Sequence, residues 1–455
     1  MRKLTVAIAV LAITTTVAGP GPSAPRAKAQ AAVPPNVLII MTDDQRRAGT
    51  LEIMDSLRRI FGDDGTIFSN AHVTTPLCCP SRASIFSGLY AHNHGIRSND
   101  GANFDTYPHA QTVQAYLQRA GYVTGYFGKF FNRWPIEQAP PYFDRWAINS
   151  RGVNYRLAQF NVDGTLTTVT RYDTTYITDM LHGFLQETET DDARPWFAVL
   201  APKAPHAPST AQVRYEATRV GTWDGNAAVW EEDRTDKHPS VQASDVSIWR
   251  AQRVRRAHLR TLLSVDDSIE ETFALLDELG EKRDTLAIYL SDNGFLWREH
   301  GVIAKRQPFI PASRVPLFVR GPHFERGVRD TSLVANIDLA PTILEAAGLL
   351  PDEPMDGRSL LSGEIHERLL LEYWLGNDAS RFPEWAALLT EGYQYTEYYD
   401  AGNAIPTFRE YYDLVADPWQ LENLLGDGDV TNDPDWLLLS QQLREDRSCR
   451  GSDCP

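Results

Sequence analysis

Cys78 and Arg82 stand four positions apart in the segment Thr75-Pro-Leu-Cys-Cys-Pro-Ser-Arg82. Pro80 and Ser81 suit the first turn of a helix, where a missing N–H costs least. Ala83, Ser84, Ile85 and Phe86 can carry that helix forward until Gly88 stops it. The predicted helix puts Cys78 at its N-terminus. The free amides and the dipole there favour an anion by about 0.3–1 kcal/mol, and the planar guanidinium of Arg82 suits a tetrahedral oxyanion. The segment therefore predicts an anion site with a sulfur in it. A Cys in this setting also serves as a small buried hydrophobe or as half of a disulfide.

A second set of chemical residues is spread along the chain. Asp43 and Asp44 follow the apolar run Asn36–Met41, and Asp292 and Asn293 follow Thr285–Leu290. Together they are an all-oxygen set with three carboxylates, which suits a hard cation: Ca²⁺ first, Mg²⁺ next, ahead of zinc or copper. Taken alone, an Asp pair after a strand is also a common turn. Lys129 follows Val123–Phe127, Lys203 and His206 follow Trp196–Ala201, and Lys305 lies in Gly301-Val-Ile-Ala-Lys-Arg-Gln307. A single such lysine is ordinarily a solvated surface residue.

The segments that precede these residues are apolar runs separated by helical stretches. That alternation predicts an α/β fold, a parallel or mixed sheet with helices on both faces, and Pro316–Val319 is a further strand candidate. Ligands of open α/β sheets bind beyond the carboxyl ends of the strands, so distant segments can share one crevice. Leu259, Leu262, Leu263, Ile269, Phe273, Leu276 and Leu279 keep a helical spacing. No chemistry is assigned to that helix. Residues 221–246 lack periodicity and read either as a substrate-facing loop or as a surface insertion. Val334–Gly348 is expected to be a helix. Beyond Ser362, short aromatic strands at Leu369–Trp374, Trp385–Thr390, Tyr393–Tyr399 and Tyr411–Asp413 predict a small antiparallel sheet, with helical pieces at Gln420–Leu425 and Trp436–Arg447. The expected division is residues 30–362 for the chemistry and 363–455 for the smaller unit.

Arg2-Lys3, an apolar run from Leu4 to Ala18 and Ala27-Lys28-Ala29 have the form of a secretory signal peptide over residues 1–29. The apolar run is shorter than the roughly 20 residues that a membrane span needs. The mature protein is expected to be exported and secreted. Of four cysteines, Cys449 and Cys454 flank a short polar loop and are expected to bridge each other in an oxidising compartment. The net charge of −16 makes nucleic acid and anionic membranes poor partners, so an anionic substrate needs a local cationic pocket.

The pattern Cys78-x-Pro80-Ser81-Arg82, with Gly88 six positions on, resembles the signature of the type I sulfatases. The doubled cysteine and His92-Asn93-His94 are most similar to the branch of N-acetylglucosamine-6-sulfatases and extracellular heparan-type sulfatases. The resemblance runs from Asn36 to Pro418. It implies an alkaline-phosphatase-like large mixed sheet flanked by helices, with a C-terminal α+β subdomain. It also implies that a formylglycine-generating enzyme oxidises Cys78 to Cα-formylglycine, leaving Cys79 as the variable position. By the same resemblance Asp43, Asp44, Asp292 and Asn293 hold the cation beside residue 78, Arg82 and Lys129 flank the modified residue, and His206 and Lys305 meet the sulfate and its bridging oxygen.

The mechanism so implied is covalent. A hydroxyl of the hydrated aldehyde, activated by Asp292, attacks sulfur; His206 and Lys305 assist the departing alcohol, and the second hydroxyl then lets the sulfate go. The chain departs from the family in one place: Phe131 stands where many members carry a His that assists the second step, and Asn132 follows it. His94 and His300 are the candidates for the missing base. The expected substrate is a carbohydrate sulfate of the 6-O-sulfated glucosamine type, as found in glycosaminoglycans, or an aryl sulfate. A phosphomonoester or phosphodiester hydrolase of the same superfamily, or a non-catalytic carbohydrate-binding relic, is the alternative.

Overall fold

The apolar run Asn36–Thr42 (β1) is buried at every residue, as a strand must be when sheet neighbours flank it and helices cover both faces. The computed structural model describes residues 34–101, 103–149, 154–191, 194–376, 382–400 and 405–455. The expected signal peptide, residues 1–29, lies outside the described residues. The remaining strands of the large sheet are β2 (Thr66–His72), β3 (Val123–Lys129), β4 (Arg145–Asn149), β5 (Ala158–Val162), β6 (Thr165–Val169), β7 (Trp196–Ala201) and β8 (Thr285–Ser291). After a short antiparallel pair, β9 (Leu296–Trp297) with β10 (Ile303–Ala304), come β11 (Leu317–Arg320) and β12 (Val328–Ala335).

The order across this ten-stranded sheet is β12-β2-β11-β8-β1-β7-β3-β4-β5-β6. β8, β1, β7, β3 and β4 run parallel, so their carboxyl ends share one edge, while β11, β5 and β6 pair antiparallel and make the sheet mixed. One face packs against the Cys78 helix and the helix Leu339–Ala346. The other packs against the 32-residue helix Ile248–Leu279 and the helix Asp173–Thr188. The C-terminal strands β13 (Leu369–Tyr373), β14 (Glu384–Leu389), β15 (Tyr393–Tyr399) and β16 (Pro406–Asp413) form a separate four-stranded antiparallel sheet. The Cys449–Cys454 disulfide is present.

Several expectations need correction. Val334 and Ala335 are not helical: they finish β12 beside Ala71 and His72, and the helix proper is Leu339–Ala346 after a single turn at Asn336–Asp338. Gln420–Leu425 forms no helix: the Asn423 amide donates to the carbonyls of Asp236 and Arg409 and holds an irregular segment that ends in a turn. The long helix begins at Ile248, where Ser247 caps it by accepting from the Arg250 amide, well before Leu259. Residues 221–246 are largely irregular, with one part anchored to the rest of the fold. Lys237 is buried there, bonded to Asp236 and the Leu421 carbonyl, and His238 stacks on Tyr398 of the small sheet.

Candidate active site

The helix Cys78–Ser87 is buried along its whole length, and Gly88 ends it in the left-handed region at φ 69°. The carboxyl ends of the parallel strands close around its first turn. β1 delivers Asp43 and Asp44. In an extended strand consecutive side chains point to opposite faces. Asp44 instead takes φ 70°, a left-handed conformation that Asp tolerates better than most residues, and so both carboxylates reach the Cys78 side. At the end of β3, Gly128 (φ 124°) precedes Lys129; a Cβ at Gly128 would lie 2.2 Å from the Ala201 carbonyl oxygen of β7. β8 delivers Asp292 and Asn293. The loop after β7 delivers His206.

The resulting network alternates in charge. Lys129 donates to Asp43 Oδ2, and Cys78 Sγ lies 3.5 Å from Asp43 Oδ1. Lys305 Nζ is 2.8 Å from Cys78 Sγ and 2.5 Å from Asp44 Oδ1. Arg82 Nε donates to Asp292 Oδ2 at 2.8 Å, and the Asp44 amide donates to Asp292 Oδ1 at 3.3 Å. His206 Nε2 stands 3.8 Å from Asp44 Oδ2. Three carboxylates are thus matched by three permanent cations, all buried except the partly exposed Lys305, an arrangement tolerable only because each charge has a partner.

Burial alone would raise Asp43, but Lys129, His206, Lys305 and Arg82 outweigh it and hold the carboxyl far below the usual range. Asp44 is lowered in the same way, against its burial, by Lys305 and His206. Burial, then Asp43, push the Cys78 thiol up to about 11, so an unmodified thiol here keeps its proton at neutral pH.

One atom has been left over. Asn293 donates its Nδ2 to Asp44 Oδ1 at 2.7 Å, while its Oδ1 is buried and makes no hydrogen bond. A buried acceptor without a donor is costly unless a cation takes its place. Ligand atoms of Asp43, Asp44, Cys78 and His206 lie within 4.8 Å of one another, and Asn293 is bonded to the same carboxylate. The oxygen donors among them, Asp43, Asp44 and Asn293, fit a hard divalent cation. Asp292 differs from the expectation in that both of its oxygens already accept, one from Arg82 and one from the Asp44 amide.

Comparison with known proteins agrees with this geometry. Residues 35–349 match the sulfatase family model, and residues 298–447 match that of the N-sulphoglucosamine sulphohydrolase C-terminal region. Human N-acetylglucosamine-6-sulfatase is 31% identical over 486 residues, covering 92% of this chain and 86% of that one. The chain belongs to the sulfatase family. An extracellular sulfatase Sulf-1 homologue of Caenorhabditis elegans is 35% identical over 351 residues, covering 72% of this chain; the chain spans about half (48%) of that relative's length. Among solved structures, one in complex with its substrate D-glucosamine-2-N,6-O-disulfate superposes with a TM-score of 0.79 at 23% identity, covering 90% of this chain and 97% of the other. The phosphonate monoester hydrolase of Silicibacter pomeroyi does so with 0.71 at 22% identity, covering 92% and 96%. These two likenesses are likenesses of fold.

In this sulfatase the structure gathers Asp43, Asp44, Cys78, Arg82, Lys129, His206, Asp292, Asn293 and Lys305 into one network. Other candidates lie outside it. Lys203 is buried behind the His206 loop, 3.4 Å from Asp173 Oδ2 and 4.4 Å over the Tyr155 ring. His94 is bonded to Ser84 at 3.1 Å and accepts from the Ile96 amide, and burial pushes it down to about 3. His300 bonds Glu231 at 2.8 Å and stacks on Phe309. Both histidines are therefore held by partners elsewhere, and neither joins the network. Phe131 packs among Phe104, Tyr107 and Phe130. The Cys79 amide, expected to be open to an anion, already donates to Asn99 Oδ1 at 2.8 Å.

Sequence reasoning missed Tyr155, whose hydroxyl donates to the His206 carbonyl at 2.7 Å, and His258 on the long helix. His258 Nδ1 accepts from Trp297 Nε1 at 3.3 Å, which leaves the ring proton on Nε2. Burial pushes His258 down to about 4, with Asp44 pulling the other way. A histidine inside an apolar stripe was the one available signal.

Proposed function

We propose that this sulfatase hydrolyses a sulfate ester of a carbohydrate, of the 6-O-sulfated glucosamine type, with Cys78 converted to Cα-formylglycine and a Ca²⁺ held beside it. The single observation that carries the reading is the meeting of Lys305, Asp43 and Asp44 at residue 78, at the head of a helix buried from end to end. The match to human N-acetylglucosamine-6-sulfatase over most of both chains supports the substrate class.

Asp43, Asp44 and the unpartnered Asn293 Oδ1 would hold the cation, with Asp292 fixing the Asp44 backbone and Arg82. When present, the hydrated aldehyde supplies an oxygen nucleophile with a second hydroxyl for release, and the cation neutralises the sulfate oxygens. Lys129 and Lys305 place positive charge on either side of residue 78, where the transferring group's charge is largest. His206, partly open to solvent, holds a proton for the leaving oxygen. Export to an oxidising compartment agrees with the Cys449–Cys454 disulfide, and no described helix is long and apolar enough to cross a membrane.

The test is peptide mass spectrometry across Thr75–Arg82 of protein co-produced with a formylglycine-generating enzyme, together with turnover of glucosamine-6-sulfate, an aryl sulfate and the matching aryl phosphate. An aldehyde at position 78 with sulfate preferred is expected. A thiol in fully active protein, or phosphate preferred over sulfate, overturns the reading.

A further inference from the structure

The first turns of the helix Ile248–Leu279 carry Arg250, Arg253, Arg255, Arg256 and Arg260 within eleven residues of a chain whose net charge is −16. None of the five has an ion-pair partner among the described residues. Arg255 Nη1 reaches only the Gly221 carbonyl at 3.0 Å, and Arg260 Nε only the Thr218 carbonyl at 3.0 Å. Buried Arg255 Nε makes no hydrogen bond. Arg250, Arg253, Arg256 and Arg260 recur at spacings of three, three and four residues, and so share one face along about 15 Å of helix.

Aromatic rings accompany these charges. Trp249 is 63% exposed with Arg253 over its ring at 5.0 Å, and Trp230 is 53% exposed with Arg298 over it at 5.8 Å. An exposed indole beside a guanidinium group that has no ion-pair partner among the described residues, as Trp249 beside Arg253, suits a ligand that offers both flat apolar faces and anionic groups, as a sulfated sugar chain does. Beneath this surface, buried residues lead inward. Arg255 lies 5.8 Å over the Trp297 ring, Arg46 covers the same ring at 4.6 Å, and Trp297 donates to His258, whose ring feels the charge of Asp44. Carboxylates also stand nearby: Glu52 is felt by Arg255, Asp245 stands 3.7 Å from Arg298, and Glu231, Glu232 and Asp233 follow Trp230.

We propose that this arginine and tryptophan ridge is a secondary binding site for the anionic chain of a polymeric sulfated glycan, lying on the exposed face of the N-terminal part of the long helix. The proposal rests on the sulfatase activity proposed above. It makes the enzyme selective for sulfated polymers over single sugars, because a globally acidic protein draws a polyanion only where positive charge is concentrated.

The experiment compares the wild type with a triple variant, Arg250→Gln with Arg253→Gln and Arg256→Gln, and with Trp249→Ala, using heparin as the probe. The triple variant is expected to elute from immobilised heparin at lower salt and to show a slope of log affinity against log salt reduced by about two to three, each lost contact releasing about one counterion fewer. Its kcat/KM on a polymeric sulfated glycan is expected to fall about tenfold, with kcat/KM on a small aryl sulfate unchanged. Trp249→Ala is expected to weaken heparin binding without changing the salt slope. Equal losses on polymer and small ester, unchanged heparin elution, or equal competition by duplex DNA would each overturn the proposal. Should the wild type hydrolyse no sulfate ester at all, the activity reading fails, while the column still reports on the ridge.

Discussion

Lys305 Nζ lies 2.8 Å from Cys78 Sγ although the two residues are 227 positions apart, and the same ammonium group holds Asp44 Oδ1. The lysine therefore couples the residue at the helix head to the carboxylate pair at the end of β1. Lys305→Met is expected to lower kcat/KM by about 10²–10³, the usual effect of removing one preorganised donor from a site where charge develops. Lys305→Arg should recover little, since a planar guanidinium cannot occupy the position of a point charge between two partners. Steady-state kinetics on an aryl sulfate decides it. A Lys305→Met enzyme of undiminished kcat/KM would remove the lysine from the chemistry.

Tyr155 acts at one remove. Its hydroxyl holds the His206 carbonyl, its ring carries the Lys203 ammonium group, and Lys203 is in turn 3.4 Å from Asp173. This buried assembly fixes the loop that presents His206. Tyr155→Phe removes one hydrogen bond and keeps the ring. If His206 gives its proton to the leaving oxygen, the variant should lose about tenfold in kcat/KM on an alkyl sulfate, a fraction of the full value of acid assistance. It should lose little on a nitroaryl sulfate, whose leaving group needs no proton. Equal losses on both esters would mark Tyr155 as a purely structural residue.

The parts of the site legible in the sequence are those that end apolar runs. Asp43, Lys129 and Asp292 follow strands buried on both faces, and the switch from apolar to charged marks the strand ends that meet in one crevice. The Cys78 helix was legible because Pro80 and Gly88 punctuate it. Strands of mixed composition gave no such signal. β2 and β12 carry several polar residues, and exposed β6 reads as loop, although Asp163-Gly164 between β5 and β6 is a strong hairpin turn. His94 and His300 show why residue type alone misleads: each is a histidine close in sequence to the motifs, yet a serine and a glutamate elsewhere in the fold satisfy them. Tyr155 had no local signal, and His258 only its place inside an apolar stripe, since their roles come from contacts 51 and 39 residues away.

Metal removal tests the unpartnered Asn293 oxygen. Chelation is expected to abolish turnover and to lower the melting temperature by several degrees, because a cation that binds only the folded state contributes about 2.7 kcal/mol when present at a hundred times its dissociation constant. Ca²⁺ should restore both, and Zn²⁺ poorly, given oxygen donors. Asn293→Ala should lose the thermal response to Ca²⁺. A melting temperature indifferent to chelation in the wild type would argue against a resident ion.

The small C-terminal sheet offers a test of stability against pH that is independent of the active site. Glu410 on β16 is buried, with Tyr398 donating to Oε2 at 2.7 Å and the His238 amide to Oε1 at 3.0 Å. Burial nonetheless raises its carboxyl from the usual 4.5 to about 7. A folded-state value above the unfolded one means that the folded protein binds the extra proton, so this group's contribution is complete below pH 4.5 and is lost as pH rises through about 7. The loss amounts to about 3 kcal/mol, from the size of the shift. Glu410→Gln keeps an acceptor for the His238 amide and carries no charge at any pH. The variant is therefore expected to match or fall slightly below the wild type at pH 4.5, to exceed it in stability at pH 8, and to have a flatter profile of melting temperature between. Parallel profiles for the two proteins would show that Glu410 keeps an ordinary carboxylate in the folded state.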